Sequence, residues 1–106
     1  MLHYSLDDIK AREPVPGYRG KFVHTGAVSV AHWEISGGKP LPEHSHPHEQ
    51  TLNLMEGRFS ITVAGETRDL EPGSIVVIPG GVPHSGRAVT DCRIIDVFHP
   101  IREDYR

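Results

Sequence analysis

Short runs of apolar and β-branched residues recur every eight to twelve positions along the chain, with glycine and proline between them. Apolar and polar positions mostly alternate inside these runs, which is the period of a half-buried strand. No window has a helical period of comparable length, although Ser5 is suited to capping one turn in SLDDIKAR. The pattern predicts an all-β chain with eight strands, KFVHT, VSVAHWEI, QTLNLME, FSITVA, ETRDL, SIVVIP, SGRAV and CRIIDVF.

The segments between the runs predict how the strands connect. AGE and EPGS both have the composition of hairpin turns. Eight short strands joined in this way are typical of a jelly-roll barrel, closed or built from two sheets. A length of 106 residues provides material for one hydrophobic core, so we expect a single domain over residues 1–106.

Charge and composition exclude several classes of partner. The net charge is −3, and no run of Lys or Arg offers a footprint for a nucleic acid backbone. No stretch approaches the roughly 18 apolar residues of a membrane span, and no basic start precedes an apolar core as in a secretory signal. Cys92 is the only cysteine, so it cannot form an intrachain disulfide, and we interpret it as a small core residue. These features predict a cytoplasmic protein without nucleic acid or membrane partners.

Three of the eight histidines fall within HSHPHEQ, residues 44–50. Residues two apart in a strand point to the same face, so His44 and His46 can direct two imidazoles at one point. Gln50 has the same parity as this pair, although Pro47 interrupts the strand and makes parity across it a weaker indication of direction. His84, distant in sequence, can complete the group of metal ligands. Imidazole suits first-row transition metals, which makes nickel, zinc, iron, cobalt and manganese all candidate ions. His48 follows Pro47 in the predicted turn, where we expect it to face solvent.

Two glycine-spaced frames around these histidines resemble the motifs of the cupin family. The first motif, G-x5-H-x-H-x3-E-x6-G, is matched over residues 38–57 by Gly38, His44, His46, Gln50 and Gly57. The second, G-x5-P-x-G-x2-H-x3-N, is matched over residues 73–88 by Gly73, Pro79, Gly81 and His84, with Ala88 in place of the Asn. The resemblance implies the family's jelly-roll barrel with a bound metal. Cupins include isomerases, dioxygenases, decarboxylases and binding proteins, so the fold alone does not define the chemistry.

The family's glutamate position holds an amide in this chain. Glu49 is an alternative ligand, but it is out of phase with the histidine pair and is separated from Gly57 by one residue too many. We therefore favour Gln50. Three neutral imidazoles and an amide leave the charge of a divalent ion uncompensated, which makes the ion a stronger electrophile and favours an anionic substrate.

The C-terminal segment DCRIIDVFHPIREDYR, together with HSHPHEQ and IPGGVPHSGRA, is similar to the small cupins related to the pectin degradation protein KdgF. That resemblance implies opening of the ring of 4,5-unsaturated monouronates to linear keto sugar acids. It further implies metal ligands at His44, His46, Gln50 and His84, and a substrate pocket lined by Asp96, Phe98 and Arg102.

The residues of this segment, taken by themselves, leave two alternatives. Ile94, Asp96 and Phe98 share one face of the last strand, and Ile95 and Val97 share the other. If the first face is buried, a carboxylate lies among apolar neighbours, which is costly unless it is paired or functional. If the second is buried, Asp96 is a solvated surface charge, and without the resemblance Arg102 would be one too.

The resemblance, together with the carboxylate-free ligand set, thus implies a metal-dependent isomerase-type enzyme acting on a small anionic sugar. A metal-dependent dioxygenase with the same ligands and a noncatalytic cupin that binds a small molecule are the alternatives. Unprotected sheet edges and outer sheet faces favour burial against a second copy, so we also expect a homodimer.

Overall fold

The computed structural model describes residues 1–106. The chain forms ten strands, β1 (Arg12–Val15), β2 (Tyr18–His24), β3 (Ser29–Ile35), β4 (Pro40–His44), β5 (Glu49–Glu56), β6 (Phe59–Val63), β7 (Glu66–Leu70), β8 (Ile75–Ile78), β9 (His84–Ala88) and β10 (Cys92–His99). Two 3-10 helices, Leu6–Asp8 and Glu103–Tyr105, lie outside the strands. Neither of these short helices has the length or apolarity needed to cross a bilayer.

The strands form two antiparallel sheets that enclose the core. The larger has the order β1-β2-β3-β10-β5-β8, and the smaller has the order β4-β9-β6-β7. Alternation along β3 and β10 buries every second residue, so one face of each strand packs against the other sheet. The all-β jelly-roll prediction is confirmed.

All eight predicted strands are present, and the structure adds β1 and β4. Both of these strands contain proline, and each forms the edge of its sheet. Proline is tolerated in an edge strand because the position of its missing N–H can face solvent, where no ladder hydrogen bond is made. Proline is rare in strands, however, so its presence weakens the sequence pattern from which a strand is predicted.

One predicted turn needs correction. Ala64 and Gly65 connect the paired strands β6 and β7, as expected for the hairpin at AGE. EPGS is not a hairpin turn, because β7 and β8 belong to different sheets. The segment instead carries the chain from one sheet to the other, and Gly73 and Ser74 exchange backbone hydrogen bonds with Leu54 on the way.

The core consists of apolar side chains from both sheets, and it closes one end of the barrel. The largest wholly buried apolar residues are Leu54, Phe59 and Ile78. Cys92 also belongs to this core, as predicted. Gly20 leaves room for the indole of Trp33, since a Cβ at residue 20 would lie 2.6 Å from that ring. The indole therefore lies deep inside the barrel, where it reaches β10.

The two histidine-bearing loops contact each other directly. The backbone N–H of Gly81 donates to the carbonyl of His46 at 2.7 Å. Gly80 packs on the carbonyl oxygen of Pro47, and a Cβ at residue 80 would collide with that oxygen. Gly81 itself has φ +79°, a conformation that glycine adopts readily. The loop before β9 is thus locked against the loop after β4.

The C-terminal segment crosses the open end of the barrel and is held by side chains of the large sheet. The Arg102 N–H donates to Ser29 Oγ at 2.9 Å, and that hydroxyl lies 2.7 Å from Nδ1 of His24. The carbonyl of Tyr105 accepts from Arg12 Nη1 at 2.6 Å and from His24 Nε2 at 3.1 Å. These bonds fix Arg102 and Tyr105 over the cavity.

Candidate metal centre and cavity

Three histidines converge at the open end of the barrel. His44 ends β4 and His84 begins β9, and the two are cross-strand partners with ring centroids 4.3 Å apart. His46 lies in the loop after β4, with its ring 4.9 Å from that of His84. One ligand nitrogen from each ring can be chosen so that all three lie within 4.8 Å of one another. This spacing is compatible with a single ion that binds all three.

Each of these rings is oriented by a carbonyl of its own loop. Nδ1 of His44 donates to Pro42 O at 2.7 Å, Nδ1 of His84 to Val82 O at 2.9 Å, and Nδ1 of His46 to His48 O at 3.1 Å. A carbonyl only accepts, so the hydrogen of each neutral ring resides on Nδ1 and Nε2 carries the lone pair. Such outer partners are what metal-binding histidines normally have.

Two of the Nε2 atoms lack a compatible protein partner. Nε2 of His84 is buried without any hydrogen bond. Nε2 of His46 lies 3.0 Å from Oε1 of Gln50, so two acceptors face each other. A cation beside these atoms would satisfy all of them at once, and the residues present therefore fit a divalent metal.

Burial also keeps the rings of His46 and His84 neutral. It lowers the pKa of His46 to about 4, with the charge of Arg102 acting in the same direction. The pKa of His84 is likewise lowered, again mainly by burial. Neutral imidazoles are available to a metal at neutral pH without competition from protons.

Gln50, and not Glu49, faces the histidines. Gln50 is the second residue of β5 and is buried against His46, whereas Glu49 is exposed on the opposite side of the strand. The parity argument from sequence therefore agrees with the observed placement. None of the four converging side chains is a carboxylate, so an ion held there keeps its full charge.

Asp96 lies deep in the same cavity. The face of β10 that carries Ile94, Asp96 and Phe98 is the buried one, which decides between the two alternatives left by the sequence. Oδ2 of Asp96 accepts from Nε1 of Trp33 at 3.0 Å, and Oδ1 is buried without a partner. Burial raises the pKa of Asp96 to about 7, although Gln50, Trp33 and the charge of Arg102 all act to lower it. A carboxyl group with this pKa can both give and take a proton near neutrality.

Arg102 is buried rather than solvated, and it is held from three sides. Its Nε and Nη2 donate to the two carboxylate oxygens of Asp104 at 3.0 and 2.8 Å. Its Cζ lies 4.7 Å from the centre of the Phe98 ring and 4.4 Å from that of Tyr105. The guanidinium is thus fixed in orientation, and Nη1 has no protein partner.

All seven residues implied by the resemblance line one cavity, together with Trp33 and Tyr105. The empty space among these residues, counting the part open to solvent, amounts to about 560 Å³. Phe98 lies next to the histidine cluster, because its ring centre is 5.6 Å from that of His46 and it pairs in register with Gln50, and Arg102 lies over the Phe98 ring. The cavity therefore combines a cation site, a titratable carboxyl group and a fixed positive charge.

Three residues around this cavity differ from the sequence analysis or were absent from it. The sequence analysis assigned no role to Trp33, yet its inward parity on β3 is the signal that places it beside Asp96. His48 does not face solvent as predicted; it is half-buried, and its Nε2 donates to Ile101 O at 3.2 Å. No sequence pattern pointed to Tyr105, because it lies in the charged C-terminal segment after the last strand.

The sequence matches the cupin-domain family over residues 31–98. The protein is a small cupin. Its whole length superposes on KdgF from a Halomonas species with a TM-score of 0.92, at 27% identity and with 99% of that chain covered. An RmlC-like cupin from Shewanella frigidimarina covers the whole chain with a TM-score of 0.91 at 24% identity, which shows a shared fold. An uncharacterised protein of Streptomyces coelicolor, SCO3923, is 29% identical over 94% of this cupin and 97% of its own length.

Proposed function

We propose that this cupin is a metal-dependent enzyme that opens the ring of 4,5-unsaturated monouronates to linear keto sugar acids. The observation that carries the proposal is the meeting, in one cavity, of a carboxylate-free cation site, Asp96 and the fixed guanidinium of Arg102. The likeness to KdgF over the whole chain supports the same chemistry.

The reaction is an isomerisation in which one proton moves from oxygen to carbon. The hydroxyl group of the substrate's hemiacetal loses its proton, its C–O bond to the ring oxygen breaks, and an aldehyde forms. The electron pair released on the ring oxygen passes into the enol system, and a proton then adds at the former double bond to give a ketone. Atoms balance without an oxidant or reductant, because the proton removed equals the proton added.

Asp96 is the residue best suited to transfer that proton. Its Oδ1 is buried without a hydrogen-bond partner while Oδ2 is fixed by Trp33, so one oxygen in a set orientation is not committed to another protein group. Its raised pKa of about 7 lets the same group accept the hydroxyl proton and return it to carbon.

Arg102 and Phe98 orient the substrate. The free Nη1 of Arg102 is suited to the uronate carboxylate, because Asp104 holds the other side of the guanidinium. Phe98 provides an apolar wall beside it. His44, His46, Gln50 and His84 would hold a divalent cation, which would supply Lewis-acid stabilisation of negative charge on the substrate.

The direct test follows the ultraviolet absorbance of the conjugated enol ether in an unsaturated monouronate. Metal-replete protein should accelerate its loss above the spontaneous rate, chelation should abolish the acceleration, and proton NMR should identify the linear product. The rate should be unchanged without oxygen, whereas an oxygen-dependent rate would support a dioxygenase. If the absorbance fell only at the spontaneous rate while the metal site was filled, the proposal would be contradicted.

A further inference from the structure

A serine and a histidine outside the cavity face each other at the open end of the barrel. His24 ends β2 and Ser29 begins β3, and the two are cross-strand partners beside the loop that joins these strands. Ser29 is wholly buried and His24 is half-buried. A buried hydroxyl group is costly unless it is hydrogen-bonded, so the partners of Ser29 indicate why a polar residue lies there.

The hydrogen bonds of these two side chains allow one arrangement of hydrogen atoms. The backbone N–H of Arg102 can only donate, so Ser29 Oγ accepts from it at 2.9 Å. The carbonyl of Tyr105 can only accept, so Nε2 of His24 carries a hydrogen and donates to it at 3.1 Å. Nδ1 of the neutral ring is then an acceptor, and the Ser29 hydroxyl donates to it at 2.7 Å. His24 therefore has the tautomer opposite to that of the three metal-facing histidines.

These bonds hold both ends of the short turn that follows the last strand. Arg102 precedes this turn and Tyr105 ends it, and the Tyr105 N–H donates to the Arg102 carbonyl at 3.1 Å. The turn belongs to neither sheet, so no strand pairing fixes its position. Side chains of the sheet hold it instead, with Arg12 adding a third bond at the Tyr105 carbonyl.

Ser29 also belongs to a row of paired residues that crosses the large sheet at its open end. It pairs in register with His24 on one side and with Phe98 on the other, and Phe98 pairs with Gln50. Neighbouring strands lie about 4.8 Å apart, so three spacings separate Gln50 from His24 by about 14 Å. The register of the sheet thus sets the distance between the amide at the metal site and the groups that hold Arg102.

We propose that Ser29 and His24 are positioning residues, which hold Arg102 at the distance from the cation site that the carboxylate of a monouronate requires. The inference rests on the proposed function for the identity of the substrate. Asp104 can fix the orientation of the guanidinium but not its place in the barrel, because Asp104 lies on the same short segment. The bonds of Ser29 and His24 join that segment to the sheet, and they therefore set where the guanidinium lies relative to the metal ligands.

Ser29→Ala tests the proposal through the Michaelis constant. It should raise KM for an unsaturated monouronate about five- to tenfold while kcat changes less than about twofold, because Arg102 loses its attachment and Asp96 keeps its place. Thr25→Ala is the matched control, since Thr25 lies on the same hairpin and its hydroxyl accepts from the N–H groups of Ala27 and Val28. It should leave KM unchanged. An equal rise in both variants would mean that hairpin stability alone is responsible and would overturn the proposal.

A double-mutant cycle shows whether Ser29 acts through the guanidinium. Arg102→Ala removes the group that binds the carboxylate, so adding Ser29→Ala to that variant should raise KM no further. Circular dichroism confirms that each variant is folded. A further rise as large as that seen in the wild-type background would show that Ser29 acts independently of Arg102, which contradicts the proposal.

NMR of the metal-free protein tests the same contacts without substrate. Long-range correlation of ring hydrogens with ring nitrogens should place the His24 hydrogen on Nε2. The Arg102 amide should exchange with solvent about tenfold faster in Ser29→Ala than in the wild type. A hydrogen on Nδ1 of His24, or an unchanged exchange rate, would overturn the positioning role. Failure of the wild type to accelerate uronate decay would instead contradict the proposed function, and the exchange rate would still decide whether Ser29 holds Arg102.

Discussion

Nε1 of Trp33 donates a hydrogen bond of 3.0 Å to Oδ2 of Asp96, across two neighbouring strands of the large sheet. The bond occupies one carboxylate oxygen, and the other is buried without a hydrogen-bond partner. Trp33 is therefore a positioning residue for the group proposed to move the proton. It also favours the ionised form of Asp96, because an N–H donor stabilises a carboxylate.

Trp33→Phe should change the pH dependence of turnover. Loss of the donor raises the pKa of Asp96 further, so the acidic limb of the pH–rate profile should move upward by about one pH unit. The profile of uronate decay measures this shift. Phe22→Leu is the packing control, because Phe22 lies edge-on to Trp33 at 5.3 Å. An equal shift in both variants would mean that Trp33 acts through packing alone.

Asp96→Asn should lower kcat by about 10²–10⁴-fold while metal content stays unchanged. The amide keeps an acceptor for Trp33 but cannot exchange a proton. Steady-state kinetics combined with metal analysis of the same sample separates the two effects. Nearly full turnover with bound metal would show that another group transfers the proton.

The same substitution should stabilise the metal-free protein, and more so at high pH. The pKa of Asp96 is raised to about 7 by burial, so the folded state holds a proton that the unfolded state has released at lower pH. The wild type therefore loses stability as pH rises from the unfolded pKa of 3.8 toward about 7, and this loss is absent in the variant. Between pH 5 and pH 8 the gap in unfolding free energy should widen by about 2–3 kcal/mol. Urea unfolding with chelator present measures it, and a constant gap would contradict the buried-carboxyl interpretation.

Gln50→Glu should tighten metal binding and slow the reaction. The added carboxylate offsets part of the ion's charge, which strengthens the site by roughly tenfold but weakens Lewis-acid stabilisation. Competition with a chromophoric chelator measures the affinity. Glu49→Gln, at the exposed neighbouring position, should leave both metal affinity and kcat unchanged. If Glu49→Gln weakened metal binding instead, Gln50 would not be the fourth ligand.

Arg102→Lys should raise KM about 10–100-fold with a smaller effect on kcat. Lysine keeps the charge but loses the planar fork that Asp104 fixes and that suits a carboxylate. The exposed pair Arg106–Glu103 provides the control, since Arg106→Lys should leave KM unchanged. With the neutral methyl ester as substrate, wild type and Arg102→Lys should have similar KM values.

Much of this arrangement could be predicted from the sequence because spacing carries it. The alternation in β10 placed Asp96 on the same face as Ile94 and Phe98. The parity of Gln50 with the histidines favoured Gln50 over Glu49 as a metal ligand. What alternation could not decide was which face of β10 is buried, because both faces carry apolar residues. The burial of Arg102 could not be predicted from the sequence either. It depends on contacts of its guanidinium with the rings of Phe98 and Tyr105 and with the carboxylate of Asp104.

The missed strands and the missed indole share a physical cause. β1 and β4 contain prolines that suppress a strand pattern, and only their edge positions make those prolines acceptable. Trp33 has the apolar character of a core residue, and its role depends on the single N–H that reaches Asp96. Neither the composition of a segment nor its hydrophobic period shows whether a strand will lie at a sheet edge. Nor do they show which group the single N–H of an indole will contact.

The contact between Gly81 and the carbonyl of His46 couples the two loops that deliver the histidines. The loop that carries His46 therefore moves together with the loop before His84, so the backbones that present these two histidines keep a fixed separation. An arriving ion should meet a site that is already assembled, with little loop rearrangement on binding.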